Sequence, residues 1–425
     1  MTVLIAGAGI AGLTLALACH RVGAPARVYE AVETLRPLGV GVNLQPNAVR
    51  ELETLGLGPD LDRIGVATRE WGLFSKSGRE IWTEPRGRAA GYRWPQYSVH
   101  RGELQMALLR EVRARLGADA VVTGARAAGF ATEDEAAVLR LADGREARGS
   151  VLVAADGLHS AIRAAMHPAE GRPIWSGAVL WRGAARARPF RTGASMALIG
   201  TMDQRFVAYP ISAPDPATGE ALVNWIAELK FDPAGGWTRS DWNRRAEASE
   251  FLPRFEGWDF GWIDAPGLVR ATGEIFEYPM VDRDPAPFWT VGRATLIGDA
   301  AHVMYPVGSN GASQAIMDAS LLARAFVDHG VGPAALAAWE AAQRPAAARM
   351  ILAARGAGPD SLLGVVEDRC GGTFERIEDV IPRAEMDAFQ ARWKSIAGLA
   401  RETLNDAPPI LPEGARAGAG RSGTA

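Results

Sequence analysis

The sequence predicts an α/β fold: an open parallel sheet flanked by helices, interrupted by a mainly β insertion and followed by C-terminal helices. Three observations carry this. The chain opens as strand, glycine-rich turn, helix and second strand, the unit that begins a doubly wound sheet. A strand of the same buried type, Thr295-Leu296-Ile297, appears far downstream. Between them, over residues 175–289, helical periodicity fades, short strand-like runs take over, and most of the 13 tryptophans are found.

Each element has a local reason. Val3-Leu4-Ile5-Ala6 is a short apolar run suited to a parallel strand covered on both faces. Residues 7–12 form the turn, and Ile10–Arg21, rich in Ala and Leu, reads as a helix closed by Gly23. Residues 27–30 read as the second strand. Residues 36–47, punctuated by Gly and Pro, read as a loop, and 48–57 as a helix. Residues 66–98 hold strand-like pieces between turns. Arg101–Leu116 is helical, with apolar side chains at Leu104, Leu108, Leu109 and Val112. Val121-Val122 and Val151-Leu152-Val153 read as strands, the latter returning to the first sheet. Residues 312–328, 333–354 and 385–404 read as helices. The first domain is therefore split, over residues 1–174 and 290–355. The insertion spans 175–289, a helical segment 356–406, and a Pro-, Gly- and Ala-rich tail from 407 to 425 reads as disordered.

Composition narrows the function. The 425 residues are 48% hydrophobic and 22% charged, ordinary for globular domains and enough chain for a large core. A net charge of −3 provides no basic field for nucleic acid. Two cysteines, Cys19 and Cys370, exclude a disulfide framework, a four-cysteine zinc site and an iron–sulfur cluster, and no metal is expected. A cytoplasmic location fits that scarcity. Residues 1–19 carry no charged side chain, but they lack the basic start of a signal peptide and hold glycines at fixed offsets, so no membrane partner is expected.

Three motifs carry the chemistry. In Gly7-Ala8-Gly9-Ile10-Ala11-Gly12, Gly7 permits the tight turn, Gly9 lets a pyrophosphate approach the backbone, and Gly12 lets helix and strand pack closely. Glu30 ends the second strand, where an acid binds ribose hydroxyls. This is a Rossmann-like dinucleotide site, and the motif alone does not separate FAD from NAD. The second motif is Gly298-Asp299, followed by Pro306-Val307-Gly308-Ser309-Asn310-Gly311-Ala312: a strand ends at an acid able to accept from a polyol, and a loop then leads into a helix N-terminus that favours negative charge. Its alternative reading is an N-cap and a tight turn. The third is Asp156-Gly157 with Arg163, which either ties loop to helix or touches a nucleotide.

In this order the three motifs resemble those of the single-component flavoprotein aromatic hydroxylases, a resemblance covering residues 3 to about 354. Residues 36–43, 96–103 and 278–284 resemble the phenazine-hydroxylating members in particular. The resemblance implies a Rossmann-like FAD-binding domain with a mainly β substrate domain, and FAD as cofactor with NAD(P)H as transient co-substrate. It assigns Gly7, Gly9, Gly12 and Glu30 to the ADP half of FAD, and Arg101 to its phosphates and ribityl chain. Asp299 goes to the ribityl hydroxyls, Pro306, Gly308, Gly311 and Ala312 to the flavin ring, Gly39 and Gly41 to a loop beside the ring, and Asp156 and Arg163 to both FAD and NAD(P)H. It implies hydroxylation of an electron-rich, fused or polycyclic aromatic through a flavin C4a-hydroperoxide formed from O2, with water excluded. It names no acid, base or nucleophile, and leaves the site of hydroxylation and any decarboxylation open. Substrate-lining candidates are Trp181, Arg182, Tyr209, Asn224, Trp225, Met304 and Tyr305, each with core packing as the competing reading. The partners expected are a small aromatic substrate and O2, in a monomer or homodimer. The alternatives are another FAD-dependent oxidoreductase, a reductase or an oxidase, or a nucleotide-binding protein without catalysis.

Overall fold

A computed structural model describes residues 2–235, 244–356 and 358–418. Its central sheet has six strands in the order Thr290–Val291, Ala294–Leu296, Val151–Ala154, Val3–Ala6, Ala26–Tyr29 and Val121–Val122. All neighbours are parallel except the first pair. Val3 to Ala6 are fully or almost fully buried, as expected for a strand covered on both faces. Helix Ile10–Arg21 is buried from Ile10 to Cys19 and packs against both Arg101–Leu116 and Gly311–His329. A helix enclosed in this way is apolar all round. That requirement accounts for the uncharged N-terminus.

An eight-stranded sheet forms the second layer system. Its order is Arg244–Arg245, Phe276–Asp282, Ile174–Ala187, Ala221–Lys230, Gln204–Pro210, Ser195–Gly200, Glu70–Ser75 and Glu80–Pro85. One face packs an aromatic core around Phe206, Trp225, Phe251 and Phe255. The other face looks toward the first domain. The last two strands come from residues 70–85, so this sheet reaches beyond the 175–289 insertion. Glu70–Ser75 joins by a parallel pairing with Ser195–Gly200, a long-range contact with no local sequence signature.

Other elements differ from expectation for identifiable reasons. Residues 36–47 are not a continuous loop: Gly41–Leu44 is a strand paired antiparallel with Gln96–His100, and Pro46 opens the next helix. Residues 127–149 form an antiparallel three-stranded meander that the sequence reading did not anticipate. The helix expected over 385–404 is two helices, Arg383–Ile396 and Arg401–Asp406. They are separated at Gly398, whose φ of +66° ends the first. Residues 407–418, expected to belong to a disordered tail, instead lie on the first domain: Leu411 is fully buried in its core, and Ala417 N–H donates to the Val22 carbonyl. Two apolar side chains, Ile410 and Leu411, anchor this stretch. The remainder of that tail, 419–425, lies outside the described residues.

Candidate functional site

The glycine turn is built by close packing. Gly7 has φ +102°, and a Cβ on it would lie 2.4 Å from the Ala155 carbonyl oxygen. A Cβ on Gly12 would lie 2.0 Å from the Gly7 carbonyl oxygen, so helix and turn touch backbone to backbone. Gly9 has nothing within 4 Å of its Cβ position and opens onto a cavity. Glu30 Oε2 accepts from the Ala8 N–H at 2.7 Å, and Oε1 from the Val32 N–H at 3.0 Å, holding the carboxylate beside the turn. Gln105 Nε2 donates to the Ala8 carbonyl at 2.8 Å, steadying the turn from the neighbouring helix.

The second motif meets the first across this cavity of about 390 Å³. Gly298 turns the chain with φ +58°, and the exposed carboxylate of Asp299 lines the cavity. Pro306, Gly308, Gly311 and Ala312 also line it, at the N-terminus of the 19-residue helix Gly311–His329. Such an end directs unpaired amides and a positive dipole toward a ligand. Gly308 has φ +67°, and a Cβ there would strike the Trp393 ring at 2.4 Å. Gln45 bridges to this loop: its N–H donates to Ser313 Oγ at 2.9 Å and its Nε2 to the Gly308 carbonyl at 3.1 Å. Arg101 lines the cavity from the start of its helix, with Gly39 packed against its side chain. Gly41 lines it too, and a Cβ there would lie 2.7 Å from both Asn224 and Tyr209. An open glycine backbone backed by a fixed carboxylate, with an exposed acid and a helix N-terminus around the same void, together fit FAD.

The other wall is the exposed face of the eight-stranded sheet. Side chains alternate across a strand, so Leu180 and Arg182 face the cavity while Trp181 points away. Trp181 stacks on Phe251 with centroids 4.9 Å apart, and Trp225 lies in the same aromatic core with Nε1 donating to Thr272 Oγ1 at 2.7 Å. Both tryptophans are therefore core residues rather than substrate-lining ones. Asn224, fully buried, is not on the cavity surface either; its Oδ1 accepts from the Gly41 N–H at 2.7 Å. Tyr305 packs beside Met350 and Ala354, and its hydroxyl pairs with Asp282. Arg182, Tyr209 and Met304 do line the cavity. Burial pushes the Tyr209 hydroxyl pKa up, against the nearby Arg182.

The third motif is structural in part. Arg163 is 2% exposed, and its guanidinium donates to the Ala300 and Ala301 carbonyls at 2.9 and 2.8 Å. Its remaining donors hold Glu170. Arg163 thus fastens the Gly298-Asp299 turn from behind and does not reach the cavity. Asp156 Oδ2 accepts from the Ala161 N–H at 3.0 Å, whereas its Oδ1 is buried without a partner. Burial raises its pKa. Ala155 and Gly157, on either side, line the cavity.

Several lining residues had no signal in the sequence. Trp71, Arg86 and Gln96 come from segments outside the expected insertion, and Trp393 and Leu399 from the C-terminal helices. Arg205, Val207, Ile226 and Glu228 follow from strand alternation once the facing side is known. Arg205 is clamped between Glu228 and Asp360, joining the sheet to the C-terminal segment. Burial raises the Glu228 pKa, opposed by Arg205.

Comparison with known proteins agrees with this geometry. Residues 1–354 match the family model described as an FAD binding domain. The phenazine 1,6-dicarboxylic acid hydroxylase PhzS of Lysobacter antibioticus is 46% identical over 365 residues, covering 83% of this chain and 89% of that protein. The aurachin C monooxygenase/isomerase of Stigmatella aurantiaca is 36% identical over 345 residues, covering 80% and 84%. A salicylate hydroxylase substrate complex shares the fold, with a TM-score of 0.71 at 23% identity over 94% of this chain and 98% of that one. Among the described residues, no helix is long and apolar enough to cross a membrane. The chain therefore belongs to the FAD-binding family of flavoprotein aromatic hydroxylases and is an FAD-dependent monooxygenase.

Proposed function

We propose that the chain hydroxylates a fused aromatic acid of the phenazine class, with NAD(P)H as reductant and O2 as oxygen source. The observation that carries this is the lining of the cavity. A glycine turn and a helix N-terminus face, across the void, a sheet surface that is apolar at Leu180, Met196, Leu198, Val207 and Ile226 and cationic at Arg182. A flat apolar ring fits the first set of residues and an acid group the second. The relative at 46% identity is named for a phenazine acid.

Bound FAD supplies the redox chemistry, accepting electrons from NAD(P)H and delivering one oxygen atom of O2 to the ring. The protein's part is binding, orientation and water exclusion. Gly7, Gly9, Gly12 and Glu30 would hold the ADP half. Arg101 meets the phosphates, Asp299 the ribityl hydroxyls, and the Gly311–Ala312 amides the electron-rich edge of the flavin. Gly41 lets its strand approach Asn224 and Tyr209 closely where it borders the cavity, and Gly39 packs against Arg101. Trp393 and Leu399 close the cavity from the C-terminal side, limiting the water that diverts oxygen to hydrogen peroxide.

The test is a panel of phenazine carboxylates, quinoline carboxylates and salicylates added to purified yellow holoenzyme. Phenazine carboxylates should accelerate NAD(P)H oxidation and yield hydroxylated product. Turnover of salicylates alone would place the substrate outside the fused class.

A further inference from the structure

We infer that Arg182 and Arg86 each read one acid group at opposite ends of the substrate, so that a diacid, the kind of compound the 46% identical relative is named for, binds better than a monoacid. This rests on the reading of the cavity as a site for a fused aromatic acid. Both arginines line the same cavity, and each has a buried Nε without a hydrogen-bond partner. A buried cationic donor left unpaired calls for an anionic acceptor. Arg182 donates through Nη2 to the Gly41 carbonyl at 2.9 Å, and among the described residues no carboxylate lies within ion-pair distance of it. Arg86 lies over the Trp71 ring, 5.1 Å from its centroid, and pairs with Glu84 at 2.7 Å. Lys394 pairs with that same carboxylate at 2.7 Å. Two cations share one acid, so this end of the cavity has positive charge to spare.

The spacing fits two contacts rather than one. Arg182 and Trp71 stand on strands separated by three others, roughly 19 Å apart at about 4.8 Å per strand. Arg86 sits over the Trp71 ring at one end of this face and Arg182 at the other, so the two cations stand at opposite ends of the cavity floor. The intervening strands present Ile226, Val207, Leu198 and Met196 as an apolar floor for the ring, beside Arg205 and Glu228, which also line the cavity and pair with each other.

The experiment titrates holoenzyme, without NAD(P)H, with phenazine, phenazine-1-carboxylate and phenazine-1,6-dicarboxylate, and reads binding from the perturbation of flavin absorbance. In the wild type the diacid should bind about 10- to 100-fold more tightly than the monoacid, the range for one added charge-assisted hydrogen bond. Arg86→Gln should abolish that preference, and Arg86→Lys should restore part of it. Arg182→Gln should weaken both acids about tenfold or more and leave unsubstituted phenazine unchanged. If Arg86→Gln loses FAD, the monomethyl ester of the diacid on wild type replaces it and should bind like the monoacid. Equal binding of monoacid and diacid by the wild type, or an unchanged preference in a flavin-loaded Arg86→Gln, overturns the two-point reading and leaves the proposed activity intact. Failure of every phenazine acid to perturb the flavin overturns the phenazine substrate class as well.

Discussion

The Gly41 N–H donates to Asn224 Oδ1 at 2.7 Å, and this bond joins the substrate-facing sheet to the loop along the dinucleotide site. The Asn224 side chain is fully buried, so its loss leaves a buried amide unsatisfied, costing about 1–3 kcal/mol. Asn224→Ala should retain FAD but loosen the loop, so that more NAD(P)H ends as hydrogen peroxide. The ratio of peroxide formed to NAD(P)H consumed checks this, and an unchanged ratio would count against the loop's role.

Arg163 is fastened to the two carbonyls behind Asp299 and to Glu170. Removing the guanidinium strands both carbonyls and leaves Glu170 with Arg283 alone. Arg163→Gln should destabilise the protein, because the two buried carbonyls lose their charged donor at about 1–3 kcal/mol each, while Glu170 keeps Arg283 and some solvent. Reduced FAD content should follow, with KM for NAD(P)H unchanged in the molecules that stay loaded. Thermal melting and steady-state kinetics separate the two effects. A large rise in that KM would restore a nucleotide contact.

Trp225 lies in the aromatic core behind the sheet, whereas Leu198 lies on the cavity face. Trp225→Phe loses the bond to Thr272, about 1 kcal/mol, and should lower Tm with substrate KM unchanged. Leu198→Ala enlarges the floor and should raise substrate KM several-fold. Reversal of this pattern would mean that the faces of the strands have been assigned backwards.

His302 is buried, with Nε2 2.6 Å from Asp318 Oδ2, an oxygen that also accepts from the Gly298 N–H at 2.7 Å. Burial alone lowers its pKa, but Asp318, aided by Asp299, outweighs it and raises the value above 6.5. A raised folded-state pKa stabilises the protein below the unfolded value, and the gain is lost as pH rises through the folded value. Stability should therefore fall as pH climbs above 6.5, and His302→Gln should flatten that part of the profile. Urea midpoints measured across this range test it.

Much of the dinucleotide side was legible because it is local. The glycine turn, Glu30 and the Gly298-Asp299 turn are short segments in which backbone geometry dictates residue type, and the structure brings Gly9 and Asp299 to one cavity with Glu30 bonded to the turn behind it. The substrate side was legible only by halves. Alternation along Ile174–Ala187 indicates that Leu180 and Arg182 share a face, but not which face is the cavity. Alternation alone therefore admits Trp181 and Trp225 as lining residues, whereas both belong to the aromatic core. Arg86 follows a hairpin joined to the sheet by the parallel pairing of Glu70–Ser75 with Ser195–Gly200, Gln96 comes from a strand in a separate antiparallel sheet, and Trp393 arrives by helix docking; these long-range arrangements leave no periodicity to read. The residues at 410 and 411 show the same limit, since two apolar side chains anchor a stretch whose composition reads as disordered.

The most direct test of the central claim is oxygen labelling. Purified yellow holoenzyme is supplied with NAD(P)H, a phenazine carboxylate and ¹⁸O2, and the product mass is measured. One labelled oxygen atom in the hydroxylated ring is the predicted result. A product whose new oxygen comes from water, or NAD(P)H consumption that yields only hydrogen peroxide with every aromatic acid tried, would contradict it.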